Sequence, residues 1–130
     1  MDCIRSMGMR TVLVVDDSRI MRHIVKETFA ELKIPCEFLE AGNGADAFRL
    51  LKTNNVSIIL LDWNMPEMDG IEFLKKVRSV PDYSELPIIM VTSEAAKYCV
   101  VDALKNGATD YIVKPFNTRI FREKILEIQF

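Results

Sequence analysis

Two adjacent carboxylates, Asp16 and Asp17, close an apolar run that begins at Thr11. A third, Asp62, closes the run 56–61, Thr92 and Ser93 follow the run 87–91, and Lys114-Pro115 follows the run 111–113. Taken singly, each group has an ordinary explanation. An Asp pair after a strand caps a helix or makes a turn, a lone Thr in a strand is a β-branched filler, and a lone Lys is a solvated charge. Their joint occurrence at the ends of four apolar runs points to chemistry. Carboxylates gathered at one rim repel, so one takes a proton or a cation joins them. Mg²⁺ suits such a site, because it takes one or two carboxylates and keeps room for a phosphate oxygen. A carboxylate beside it can attack a phosphoryl group and hold it as an acyl phosphate. The transferred group spreads negative charge over its equatorial oxygens, which calls for positioning and positive charge. Lys114 supplies a point charge on a flexible stem, and Thr92 supplies a hydroxyl donor.

The elements that must position these residues are legible as alternation. Five apolar runs, at 11–15, 36–39, 56–61, 87–91 and 111–113, are separated by amphipathic stretches. The runs 12–15 and 58–61 are apolar without alternation, as expected of strands buried on both faces of a parallel sheet. Met21, Ile24, Val25, Thr28, Phe29 and Leu32 follow helical spacing, as do Ala47, Phe48 and Leu51, then Ile71, Leu74 and Val77. A fourth stripe, Val100, Val101 and Leu104, stops at Asn106-Gly107, and a fifth runs through Ile120, Phe121, Ile125 and Ile128. Ser18 is a candidate cap for the first helix, and Asn117 or Thr118 for the last. Strand and helix alternating five times imply a parallel sheet with right-handed crossovers and helices on both faces. Ligands then bind beyond the carboxyl ends of the strands.

Composition bounds the rest. A chain of 130 residues with 49% hydrophobic content fits one domain able to bury its own core. A net charge of −2 gives no electrostatic footprint for nucleic acid, and no apolar run reaches the length of a membrane span. Residues 1–10 are expected to be a tail without a signal-peptide apolar region, and 11–130 the domain. Cys3, Cys36 and Cys99 fit neither a metal site nor a redox pair, so reduced thiols in a cytoplasmic protein are expected. His23, the only histidine, is expected on the surface or in helix packing.

The motifs Val-Val-Asp-Asp-Ser at 14–18, Asp-Trp-Asn-Met-Pro at 62–66, Met-Asp-Gly at 68–70, Val-Thr-Ser-Glu-Ala at 91–95 and Val-Lys-Pro-Phe at 113–116 carry a resemblance. The chain, from about Thr11 onward, resembles the receiver domain of two-component response regulators, and in particular the stand-alone chemotaxis receivers of the CheY-like type. The resemblance implies a (βα)5, flavodoxin-like doubly wound sheet of five parallel strands in the order 2-1-3-4-5. It implies phosphorylation of Asp62 by a histidine kinase of chemotaxis type, with Mg²⁺ as cofactor. Asp17 is then the direct metal ligand, Asp16 acts beside it through water, and Asn64 lends its backbone carbonyl. Thr92 and Lys114 engage the phosphoryl oxygens, and the Lys114-Pro115 bond is cis. Tyr111 is the aromatic that changes rotamer, and Asn64 and Glu94 tune the loss of phosphate by water.

The same resemblance implies an output face of the fourth helix, fifth strand and fifth helix, with Lys97, Val100, Tyr111 and Lys124 on it and Phe116 and Ile120 nearby. A flagellar motor switch protein is the expected target, a dedicated phosphatase fits the scheme, and a monomer is expected. No turnover of an external substrate is expected beyond self-phosphorylation from a donor and self-dephosphorylation. Rival readings fit less well. A haloacid-dehalogenase-type phosphatase needs D-x-D where this chain has adjacent aspartates, and a pseudo-receiver should lack a member of the site. No helix-turn-helix segment follows, which disfavours a DNA-binding output. A phosphorelay intermediate remains compatible with the motifs.

Overall fold

The computed structural model of the chain describes residues 10–63, 70–93 and 99–128. Strands β1 (Arg10–Val15), β2 (Cys36–Ala41), β3 (Ile58–Asp62), β4 (Ile88–Ser93) and β5 (Asp110–Lys114) form one sheet. Helices α1 (Arg19–Glu31), α2 (Gly44–Thr53), α3 (Gly70–Arg78), α4 (Val100–Lys105) and α5 (Thr118–Glu127) connect and follow them, with a 3-10 turn at Pro81–Tyr83. Every neighbouring pair is parallel, in the order β2-β1-β3-β4-β5. β1 opens at Arg10, paired with Cys36, so that residue belongs to the sheet and not to the tail.

Strand alternation sorts the core into two layers. Leu13, Val15, Ile59, Leu61, Ile88 and Met90 face α2, α3 and α4, where they meet Ala47, Leu51, Phe73, Leu74, Val77 and Ala103. Val12, Val14, Leu60, Ile89, Val91 and Ile112 face α1 and α5, where they meet Val25, Phe29, Phe121 and Ile125. Phe29 joins that second layer through edge-on rings, 5.5 Å from Phe38 and 5.2 Å from Phe121. Losing so large a buried side chain costs about 3–5 kcal/mol. The central strand β3 is buried along its whole length, whereas the edge strands β2 and β5 are only partly covered.

The helix ends follow their residues. The Ser18 side chain accepts from the Met21 N–H at 3.2 Å, and Asn117 accepts from Ile120 at 2.8 Å. α4 is capped by Asn106, and Gly107 takes φ of 105°, the left-handed region open to glycine. A Cβ at Gly107 would also lie 2.9 Å from Arg78 Cγ. Arg78 is held there by donating to the carbonyls of Gly107, Tyr83 and Leu86 at 2.7–2.9 Å.

Three apolar residues of these helical stripes face outward instead: Ile24, Val101 and Leu104 are between 41% and 59% exposed. Each helix buries a narrow stripe, Val25, Thr28 and Phe29 in α1, Val100 and Ala103 in α4, Phe121 and Ile125 in α5. The neighbouring apolar positions therefore sit on the flank of the stripe. Val100 is the converse case: expected on the output face, it is turned inward with only 9% exposure, because it shares an i, i+3 stripe with Ala103.

Candidate functional site

Parallel register assembles the rim. Val15 pairs with Leu61, so the residues one further on, Asp16 and Asp62, stand side by side at the ends of β1 and β3. Thr92 pairs with Val113 and Ser93 with Lys114, which brings the lysine to the same end. Carboxylate oxygens of Asp16, Asp17 and Asp62 all lie within 4.8 Å of one another. Lys114 Nζ lies 3.3 Å from Asp62 Oδ1 and 3.4 Å from Asp16 Oδ2, and the Lys114–Pro115 bond is cis.

Each group is held in place. Asp16 is buried, and its Oδ1 accepts from the Ser18 N–H at 2.9 Å. The Asp16 N–H donates to Ala41 at 3.0 Å, and its carbonyl accepts from the Arg22 guanidinium. Glu40 braces that arginine at 2.9 Å and also takes Lys26 at 2.9 Å. The hydrogen bond from Lys26, with Arg22 beside it, keeps the Glu40 carboxyl below its usual range. Asp17 next to it is exposed, which leaves its carboxylate open to an incoming ligand.

Asp62 is only 8% exposed, and its carboxyl is pushed up to about 6. Burial is the main cause and the Asp16 charge adds to it, while Lys114 pulls the other way. The backbone behind Asp62 is closed by Gly70, whose N–H donates to the Trp63 carbonyl at 2.9 Å. A Cβ at position 70 would lie 2.8 Å from the Asp62 carbonyl oxygen and 3.0 Å from Trp63 Cα, so this close approach requires glycine. Thr92 is buried, with its hydroxyl 3.4 Å from the Ser93 carbonyl and not bonded to Asp62.

The donor set fits Mg²⁺. All three groups are hard oxygen ligands, close enough to share one ion, and the buried Asp62 carboxylate is undercompensated by a single lysine. Asp16, Asp17 and Asp62 are the residues that would hold it, and it would supply positive charge beside the Asp62 carboxylate.

On β5, the Tyr111 ring packs on the α2–α3–α4 layer while Lys124 approaches it from α5. Among the expected site residues, Asn64, Glu94 and Lys97 lie outside the described residues. His23 is exposed beside Glu27 on α1. The motifs gave no sign of the Arg22–Glu40 brace or of Asp110, because both depend on how a helix sits against a strand distant in sequence.

This sheet and this rim define a receiver-class α/β signalling domain. The chain belongs to the response regulator receiver domain family, whose pattern matches residues 12–126. It is 48% identical over 118 residues to the chemotaxis protein CheY homolog of Campylobacter jejuni, covering 90% of each chain. It is 46% identical to chemotaxis protein CheY1 of Helicobacter pylori, covering 88% of this chain and 92% of that protein. The fold is similar to that of chemotaxis protein CheY4 of Vibrio cholerae, with a TM-score of 0.83 and 33% identity over 93% of this chain and 99% of that one. Family membership places the chain in two-component signalling, which implies a histidine kinase partner and a downstream target. Members of the family typically bind Mg²⁺. Among the described residues, no helix is long and apolar enough to cross a membrane.

Proposed function

We propose that this chain is a chemotaxis response regulator that carries its phosphoryl group on Asp62. The observation that carries this reading is the convergence of three carboxylates within 4.8 Å with Lys114 Nζ 3.3 Å from Asp62. An Asp62 oxygen attacks the phosphorus of a phosphohistidine on the kinase, a P–O bond forms, the P–N bond breaks, and the imidazole leaves with its electron pair. Lys114 and the Thr92 hydroxyl bind the phosphoryl oxygens, and Asp17, Asp16 and the Asn64 carbonyl serve the Mg²⁺ site. Asn64 and Glu94 flank the route of the water that later removes the phosphate. Thr92 is drawn toward the phosphoryl group, which frees space for Tyr111 to turn, and the α4–β5–α5 face changes.

The target is a flagellar motor switch protein, met in the cytoplasm through a face that includes Tyr111, Lys124 and Lys97. The chemotaxis assignment rests on the relatives that bear that name and on the motif at 62–66. Incubation with Mg²⁺ and acetyl phosphate, followed by mass spectrometry, tests the chemistry. Phosphate on Asp62 is the expected result, and phosphate elsewhere, or none, overturns the assignment.

A further inference from the structure

β5 is an edge strand, and a side chain from α5 can pass around it from one layer of the core to the other. Lys124 does so. Successive side chains of β5 point to opposite faces, so Ile112 joins the layer of α1 and α5 while Tyr111 joins the layer of α2, α3 and α4. Lys124 Nζ reaches 2.9 Å from Asp110 Oδ1 and also lies over the Tyr111 ring, 4.5 Å from its centroid. The same Asp110 oxygen accepts the Tyr111 N–H at 2.8 Å. The ammonium is thus tethered to a carboxylate that is itself tied to the tyrosine backbone. If the ring swings toward Thr92, the ammonium cannot follow it and the cation–π contact is given up.

We propose that Asp110 is a positioning residue which, through Lys124, holds the Tyr111 ring in the place seen here and so opposes the switch. This rests on the reading of Tyr111 as the switch residue. Thr92 is consistent with the held position, since its hydroxyl engages the Ser93 carbonyl and not Asp62. A cation over a partly exposed ring shifts a two-state ratio by roughly two- to five-fold, so the latch sets a threshold without blocking the switch.

The test uses the full chain with 3-fluorotyrosine at its tyrosines, the Tyr111 resonance being assigned with Tyr111→Phe. Beryllofluoride with Mg²⁺ is titrated against wild type and Asp110→Asn. Asp110→Asn is expected to move the starting Tyr111 resonance toward the beryllofluoride position and to lower the half-saturating concentration by about two- to five-fold. Lys124→Gln should act in the same direction, which covers the case in which Asp110→Asn folds poorly. If Tyr111 responds in wild type and both variants titrate as wild type does, the latch is wrong and the switch reading stands. If Tyr111 does not respond even in wild type, the switch reading and the latch fall together.

Discussion

Lys114 Nζ stands 3.3 Å from Asp62 Oδ1, across 52 residues of sequence, and is shared with Asp16 at 3.4 Å. One ammonium thus serves two buried carboxylates, and Asp17 brings a third negative charge to the same rim. The site without metal is short of positive charge, which adds to the burial that raises the Asp62 carboxyl.

Asp62→Asn is expected to abolish labelling by acetyl phosphate and to stabilise the Mg²⁺-free protein at neutral pH. The Asp62 carboxyl titrates near 6 in the folded chain, above its unfolded value. Its contribution to stability is therefore fully present below about pH 4 and is lost as pH rises through about 6, by at most about 3 kcal/mol. Urea denaturation of both proteins at pH 4 and pH 7.5, without Mg²⁺, measures the difference. An equal gap between them at both pH values contradicts the claim.

Mg²⁺ is expected to perturb the fluorescence of Trp63, the only tryptophan, which adjoins Asp62. Asp17→Asn should weaken the effect strongly, since Asp17 is the exposed carboxylate of the three. A titration indistinguishable from wild type shows that the direct ligand lies elsewhere.

Gly70→Ala is expected to cost about 1–3 kcal/mol, because the new methyl meets backbone and not a movable side chain. Thermal denaturation reads the cost. A slower reaction with acetyl phosphate should accompany it, since the displaced backbone belongs to Asp62 itself. A variant with wild-type stability and labelling shows that the loop absorbs the methyl without moving the acceptor.

The phosphorylated form is expected to be short-lived, as suits a behavioural response, because the resemblance assigns Asn64 and Glu94 to the tuning of phosphate loss. Decay of phosphate from Asp62 is followed after removal of the donor. Persistence over many hours in native buffer favours a slower relay role.

Much of this was legible in the residues because a parallel sheet writes its interior plainly. β1, β3 and β4 are buried on both faces and read as unbroken apolar runs. Their common direction puts Asp16, Asp62 and Thr92 at one rim with no further assumption. β2 was harder to bound, because Glu37 and Glu40 interrupt an edge strand that is half exposed. Helical spacing gives the faces of α1 and α4 but not how wide a stripe the sheet covers, so Ile24, Val101 and Leu104 lie outside the core. The brace of Arg22 on Glu40 and the tether of Lys124 to Asp110 have no local pattern, because each joins a helix to a strand whose relative height only the packed layers decide.

An open sheet has two rims of unpaired backbone, and each is an invitation to another chain. Here both outer strands carry charge: Glu37 and Glu40 on β2, Asp110 and Lys114 on β5. Lys124, reaching from α5 to Asp110, adds its ammonium to that border. A strand seeking to add itself at β5 must first displace this ion pair and strip its water. The contact beside the tyrosine thus also guards the sheet against growing by accretion at β5.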